Sequence, residues 1–213
     1  MNSLMMISGV FLLLARALTS IRRVREVLDE RPAISSAEGA ATTVADGSVV
    51  FDHVSFKYHA DARKDVLEDI SLSFPAGSTI GVLGATGSGK SSLVQLVARL
   101  YDVSSGSVRV GGRDVRDYDL AALRDAVGVV LQRSVLFSGT VRDNLRWGNP
   151  DATDAELLEA CRIACADEFL ERIGGLDADL GQGADNVSGG QRQRLSIART
   201  LLKRPKVLVF DDS

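Results

Sequence analysis

The run GATGSGKS, residues 84–91, combines glycines, a lysine and a hydroxyl at a spacing that suits phosphate binding. Glycines allow backbone N–H groups to turn inward around a phosphate, and a helix that begins here would add its dipole. Lys90 would reach the outer phosphates, and the Ser91 hydroxyl would bind Mg²⁺. The run lies between an apolar stretch, residues 79–83, which we expect to be a strand, and a helical pattern, residues 91–101, in the order that this motif requires. The sequence therefore predicts a nucleoside triphosphate site, in preference to a glycine turn that leaves Lys90 in solvent.

Two adjacent carboxylates, Asp211 and Asp212, follow an apolar run at residues 207–210. By itself this pattern indicates only a buried strand that ends at a loop. In enzymes with such a phosphate loop, however, a second buried strand ends in an aspartate that orients the Mg²⁺ shell. We therefore expect Asp211 to be the carboxylate on the metal side of the site.

The pattern along the chain predicts an α/β fold with a parallel core sheet. Alternating apolar residues at 49–58 and 70–74 are typical of half-buried strands. After the glycines, expected strands alternate with expected helices, and this order favours a parallel sheet covered by helices. The predicted strands lie at residues 107–110, 127–131 and 207–210, and the predicted helices at 91–101, 120–126, 140–173 (mostly helical) and 189–203.

Composition excludes some functions. The net charge of the 213 residues is −3, so no overall basic field would attract nucleic acid. Five basic residues of the last predicted helix are interpreted as a solvated face; they are Arg192, Arg194, Arg199, Lys203 and Arg204. Cys161 and Cys165 are too few for a disulfide framework or a metal site, and we expect both to be small buried hydrophobes in a reducing compartment.

The first residues favour the end of a membrane helix. Residues 4–18 carry only one charge, Arg16, but are shorter than the ~20 apolar residues of a full crossing. Residues 19–31 continue at helical spacing with charges between the apolar positions, up to Pro32. A signal peptide is the alternative, although no lysine or arginine precedes the apolar stretch. One helix that leaves a bilayer and continues into water explains both the apolar residues 4–18 and the charged residues 19–31.

The stretch NVSGGQRQRLSIAR, residues 186–199, identifies a family. Ser188, Gly189 and Gly190 would present a hydroxyl and free N–H groups at a helix start, which is an anion site. The stretch resembles the signature motif of ABC ATPases, with Val187 where leucine is usual. The resemblance implies that two ATPase domains pack head to tail. Ser188, Gly189, Gly190 and Gln191 would then bind the γ-phosphate held by the partner's phosphate loop.

Further positions match this family one by one. Gln132 resembles the glutamine that approaches Mg²⁺ and its water, although it would otherwise be a polar residue starting a loop. Tyr58 resembles the aromatic residue that stacks on adenine; its alternative is an ordinary strand aromatic. The resemblance thus implies ATP and Mg²⁺ as cofactors, a metal site of Ser91, Gln132 and Asp211, and catalytic roles for Gln132 and Asp212. The implied nucleotide-binding residues are Tyr58, Gly84, Thr86, Gly87, Ser88, Gly89, Lys90, Ser91 and Ser92.

The chain is most similar to exporters of the multidrug type that fuse membrane helices to the ATPase, as residues 128–148, GVVLQRSVLFSGTVRDNLRWG, indicate. The resemblance implies an antiparallel β-subdomain, a helical subdomain and three segments: residues 1–31 as the end of a membrane helix, 32–48 as a linker and 49–213 as the ATPase domain. It implies ATP-driven export at the cytoplasmic face of the plasma membrane, with a second ATPase domain and a membrane domain as partners. Alternatives are a non-hydrolysing regulatory subunit and a soluble ABC protein of DNA maintenance.

Two departures from the family pattern concern catalysis. Active members usually place glutamate after the Mg²⁺ aspartate, to polarise the attacking water. Here Asp212 stands at that position, and its side chain is one methylene shorter. Some exporters pair an altered subunit of this kind with an intact one, so we favour a heterodimer. The family's later histidine has no match, because His53 and His59 both precede the phosphate loop. We therefore expect a fragment of a longer transporter that ends before this histidine and the central strand bearing it.

Overall fold

The computed structural model describes residues 2–211 and divides them into two compact units, residues up to 35 and residues from 36 onward. The first unit contains one continuous helix, α1 (Asn2–Leu28), as the unbroken helical pattern predicted. The apolar side chains described from Met6 onward in this helix are exposed, among them Phe11 and Leu13 at 69% each. Among the described residues, no helix is both long and apolar enough to span a bilayer.

An antiparallel sheet begins the second unit. Its strands are β1 (Val49–Phe56), β2 (Leu67–Phe74), β3 (Ser105–Val110) and β4 (Arg113–Asp114), in the order β2-β1-β3-β4. Buried apolar residues of β1 alternate with less buried residues, because successive side chains of a strand point to opposite faces. The alternation breaks at His53, whose φ of 48° makes a bulge between Phe51 and Val54. The antiparallel subdomain expected from the family is confirmed.

A parallel pair of strands brings two predicted site residues to one edge. β5 (Val127–Val130) pairs with β6 (Val207–Phe210), from Val127 opposite Val207 to Val130 opposite Phe210. The ladder continues beyond β6, since the Asp211 N–H donates to the Val130 carbonyl at 3.0 Å. The helices α3 (Leu120–Ala126) and α7 (Gly189–Leu202) precede these strands in sequence. Because the carboxyl ends of parallel strands share an edge, Gln132 and Asp211 lie on the same side of the sheet.

The strand predicted for residues 79–83 does not form. These residues have no regular backbone structure, and the side chains of Ile80, Val82 and Leu83 are 48%, 46% and 96% exposed. A strand requires a hydrogen-bonded neighbour, and within the described part of the chain β5 and β6 pair only with each other. The prediction was wrong because apolar character makes a run suitable for a sheet but does not supply its partner.

The helical region consists of short helices around a shared core. They are α4 (Val141–Arg146), α5 (Asp154–Ile163) and α6 (Asp167–Ile173), and they pack with α7 around Leu145, Leu157 and Leu195. Thr140 and Thr153 begin α4 and α5 with capping boxes, each closed by an acidic residue three positions later. Together with α2 (Lys90–Val97), these elements confirm the mixed α/β fold.

Residues 36–48 form no regular element, yet they pack against the rest of the second unit. The Ser36 hydroxyl donates to Asp119 at 3.0 Å and accepts from the Leu120 N–H at 2.9 Å. Val44 is only 6% exposed and belongs to the core of the antiparallel sheet. Lys206 Nζ donates to the Ala45 carbonyl at 2.7 Å. We call residues 36–48 the strap.

Candidate nucleotide site

The phosphate loop lines a cavity of about 440 Å³. The residues that line it combine three regions that are distant in the sequence; they are Tyr58, Val66, Thr86, Gly87, Ser88, Gly89, Lys90, Ser91, Ser92 and Gln132. The structure therefore brings most of the predicted nucleotide-binding residues together with Gln132. Val66 was not predicted, and only its position one residue before β2 distinguishes it in the sequence.

Two glycines with positive φ allow the phosphate loop to turn into α2. Gly87 and Gly89 have φ values of 80° and 87°, which side chains with a Cβ rarely adopt. Gly89 also packs so closely that a Cβ would lie 2.8 Å from Leu67 Cδ2. The first turn of α2 follows at once and carries no acidic residue. An exposed loop thus ends at a helix start that favours an anion.

Lys90 lies over the loop and is partly buried. Its Nζ donates to the carbonyls of Gly84 and Ala85, at 2.9 and 3.1 Å. The lysine is therefore not a freely solvated side chain. It places a positive charge at the cavity wall, where phosphate oxygens would replace the two carbonyls as acceptors.

The Ser91 hydroxyl donates to Asp211 Oδ1 at 3.0 Å. This pair offers a hydroxyl and a carboxylate oxygen beside the cavity, and the Gln132 amide lies among the residues that line it. Such oxygen donors fit Mg²⁺, which binds through one or two carboxylates together with substrate phosphates. No cluster of three or more His, Cys, Asp or Glu residues suited to a metal occurs among residues 2–211, and a site of this kind needs none. Asp212 lies outside the described residues.

The Ser188 loop forms a separate feature, since the residues that line the cavity do not include it. Ser188 caps α7, its hydroxyl accepting from the Gln191 N–H at 3.3 Å while its own N–H donates to Gln191 Oε1 at 2.8 Å. Gly189 and Gly190 are exposed, and a Cβ at Gly190 would meet nothing within 4 Å. The start of this 14-residue helix is therefore exposed, and an exposed helix N-terminus favours an anion.

Three of the five basic residues that the sequence placed on a solvated face make contacts within the protein instead. Arg192 donates to the Val187 carbonyl at 2.6 Å, Arg194 to Cys165 at 2.7 Å and Arg199 to Val135 at 3.0 Å. All three arginines are partly buried, and burial lowers the pKa of Arg199. The acceptors are backbone carbonyls, which every residue carries, so the pattern of charged residues in the sequence could not predict these contacts. The two remaining residues are exposed and form ion pairs, Lys203 with Asp125 and Arg204 with Glu156.

The cysteines differ from each other. Cys161 is buried as expected, and burial raises the pKa of its thiol to about 11. Cys165 is exposed, so the prediction that both are buried was wrong. Cys165 lies beyond the end of α5 and has a φ of 53°, so it does not continue the helix that contains Cys161.

Residues 67–213 match the family described as ABC transporter. The chain is 42% identical over 207 residues to a multidrug efflux ATP-binding/permease protein of Mycobacterium bovis, covering 97% of this chain and 17% of that protein. It is 45% identical over 168 residues to a putative multidrug export ATP-binding/permease protein of Bacillus subtilis, covering 78% of this chain and 29% of that protein.

A solved structure, a bacterial Atm1-family ABC exporter with ATP bound, superposes with a TM-score of 0.85 at 34% identity. The superposition covers 92% of this chain and 34% of the exporter chain, so the present chain spans about a third or less of these three proteins. With the phosphate loop, the carboxylate strand and the capped Ser188 loop in place, these matches show that the chain belongs to the ABC transporter family and carries its ATPase domain.

Proposed function

We propose that this chain is the ATP-binding and ATP-hydrolysing part of an ABC exporter. The observation that carries the proposal is the cavity in which Tyr58, the phosphate loop and Gln132 meet, with the bond between Ser91 and Asp211 beside it. ATP bound to the solved relative agrees with this reading. The adenine would contact Tyr58, the phosphates would follow the loop to Lys90, and the attacking water would lie near Gln132.

Ser91, Gln132 and Asp211 would hold Mg²⁺. The ion would neutralise charge on the outer phosphate oxygens when bound. The chain's own contribution is to keep a hydroxyl and a carboxylate within hydrogen-bonding distance at the ends of α2 and β6. Asp212 would act as the general base, with a side chain shorter than the usual glutamate.

A second ATPase domain would complete the site. The Ser188 loop is exposed and does not line this chain's own cavity, which supports a role toward a nucleotide on another chain. We propose a head-to-tail dimer in which Ser188, Gly189, Gly190 and Gln191 contact the partner's γ-phosphate. Asp212 favours a heterodimer with an intact partner.

The exporter assignment rests on the relatives and on α1. Both relatives described above have names that combine an ATP-binding part with a permease. The exposed apolar side chains of α1, such as Phe11, Leu13 and Leu18, suit the end of a membrane helix. We place the ATPase on the cytoplasmic side of the plasma membrane. Fractionation of the full-length product tests this, because recovery in the soluble fraction would favour a DNA-maintenance protein.

Nucleotide binding is tested by Lys90→Ala in the 213-residue chain, purified in detergent because α1 exposes apolar side chains. Removal of a charge-assisted contact to phosphate should weaken ATP binding by on the order of tenfold or more. Lys203→Ala is the matched control, because this lysine is exposed and pairs with Asp125. Equal ATP affinity of Lys90→Ala and the parent in calorimetry would overturn the assignment.

A further inference from the structure

We propose that the Tyr58 hydroxyl is a positioning group for the nucleotide base, held by the helix that follows the phosphate loop. The inference rests on the proposed function, since it assumes that the base contacts this ring. It assigns to Ser92 and Gln95 a role that the sequence motifs do not supply, because the phosphate-loop motif ends at Ser91 and the family resemblance names Ser92 only as a nucleotide-binding residue.

Two hydrogen bonds fix the hydroxyl. Tyr58 Oη lies 2.8 Å from Ser92 Oγ and donates to Gln95 Oε1 at 3.2 Å. Ser92 and Gln95 are one helical turn apart on α2, so the hydroxyl contacts a single face of that helix. Ser92 is only 5% exposed, and its hydroxyl therefore has few other orientations available.

Neighbouring rings fix the plane of Tyr58. The Phe56 ring centroid lies 4.9 Å away at an interplanar angle of 76°, and the Tyr101 centroid lies 5.0 Å away at 87°. Both are edge contacts, which aromatic pairs favour over a face-to-face sandwich. The Tyr58 side chain nevertheless stays 43% exposed and lines the cavity. Phe56 and Tyr101 thus fix the orientation of the Tyr58 ring, and the part of the ring that they leave uncovered is exposed to the cavity.

This arrangement makes α2 the common support for both ends of a nucleotide. The helix begins at Lys90 in the phosphate loop, and its Ser92 holds the tyrosine that faces the base. The distance between the phosphate site and the ring is therefore set before a nucleotide arrives. A side chain that is already ordered loses less freedom on binding, so the hydroxyl bonds should raise affinity without touching the base.

The test compares tyrosine variants of the whole 213-residue chain in detergent. Tyr58→Phe keeps the ring and removes both hydrogen bonds. Tyr101→Phe is the matched control, because the hydroxyl of that ring makes no hydrogen bond within the described residues, although the ring belongs to the same cluster. Dissociation constants are measured by calorimetry for ATP and for inorganic triphosphate, which has the phosphates but no base.

We expect Tyr58→Phe to weaken ATP binding about three- to tenfold, and triphosphate binding less than about twofold. Tyr101→Phe should change neither constant. Unchanged ATP binding by Tyr58→Phe would overturn the proposal, and so would an equal loss for ATP and triphosphate, since the hydroxyl would then support the phosphate loop alone.

Two further variants test the hydrogen bond and the ring separately. Gln95→Met removes one acceptor while Tyr58 and Ser92 stay intact, and it should reproduce part of the loss even if Tyr58→Phe folds poorly. A parental affinity for ATP in Gln95→Met would count against the proposal.

Tyr58→Leu removes the ring itself. If this variant binds ATP like the parent, the base does not contact Tyr58, and that part of the proposed function is wrong. A loss in Tyr58→Leu beside parental binding in Tyr58→Phe would reject only the positioning role.

Discussion

The Ser91 hydroxyl donates to the Asp211 carboxylate at 3.0 Å across 120 residues of sequence. The bond joins the first turn of α2 to the residue that follows β6, so the phosphate loop and the carboxylate strand meet although no strand forms at residues 79–83. We infer that a hydroxyl and a carboxylate at this distance would bind one small cation together with a phosphate.

Asp211→Asn should therefore separate metal binding from nucleotide binding. The asparagine keeps the size of the side chain but removes the charge that attracts Mg²⁺. We expect ATP affinity measured with Mg²⁺ to fall by about tenfold or more, and ATP affinity in a chelator to stay unchanged. Asp125→Asn is the control, because Asp125 is an exposed aspartate paired with Lys203. An unchanged Mg²⁺ effect on ATP affinity in Asp211→Asn would contradict the metal role.

The strap should contribute to the stability of the second unit. Val44 is buried in the core of the antiparallel sheet, whereas the neighbouring Thr43 is exposed. Val44→Asp buries an unpaired charge and should lower the free energy of unfolding by about 3 kcal/mol, while Thr43→Asp should change it by less than about 0.5 kcal/mol. Urea unfolding followed by circular dichroism measures both. Similar midpoints for the two variants would mean that the strap is not part of the folded unit.

Local signals in the sequence located much of the fold and the site. The helix α3 begins and ends where its pattern predicted, because Asp119 caps it and its side chain accepts from the Ala122 N–H at 3.0 Å. The phosphate loop was likewise found from glycine spacing, since only glycine suits the φ values at Gly87 and Gly89. In both cases the residues that determine the structure are close together in sequence.

Contacts between distant residues escaped prediction. Nothing in the strap's small polar residues indicates that Ser36 bonds to Asp119 or that Ala45 accepts from Lys206. The missing strand at residues 79–83 has the same cause, because its formation depends on a neighbour and not on its own apolar side chains. Likewise, Arg194 and Arg199 were assigned to solvent because their carbonyl acceptors, on Cys165 and Val135, belong to other segments.

His53 and Asp69 should make stability weakly dependent on pH. His53 Nδ1 lies 2.7 Å from Asp69 Oδ1, and this hydrogen bond raises the pKa of His53 above its ordinary value. The stabilisation is complete below the unfolded pKa of the imidazole and is lost as pH rises through the higher folded pKa. The difference in urea midpoint between the parent and Asp69→Asn should thus narrow as the pH rises from below the ordinary imidazole pKa of about 6.5 to well above it.

The Asp69→Asn variant suits this comparison because Asp69 has a φ of 49°, which asparagine tolerates. Both side chains are more than two thirds exposed, so the expected change in midpoint is small. A gap that widens as the pH rises would show that the pair does not act through the protonated imidazole.

Asp212 is predicted, from its position in the sequence, to be a shortened general base. Asp212→Glu should raise ATP hydrolysis at this site, since a well-placed base contributes roughly 10²–10⁴ in rate. Asp212→Asn should change total turnover little if an intact partner does most of the work. The measurement is single-site turnover in the full-length dimer with the partner's base disabled. If the parent is already as fast as Asp212→Glu, the altered-site hypothesis is wrong and the subunit is ordinarily active.

Gly190→Ala should impair function without impairing the fold. A Cβ at Gly190 meets nothing within 4 Å in this chain, and alanine is the better helix former in α7 by about 0.5–1 kcal/mol. The urea midpoint should therefore stay the same or rise. In the proposed dimer, however, the new methyl group would stand between the helix start and the partner's γ-phosphate, and turnover should fall on the order of 10²-fold. Gly148→Ala is the opposite control, because its Cβ would collide with the Arg199 backbone oxygen and lower the midpoint. Full turnover in Gly190→Ala would exclude a close phosphate contact at this loop.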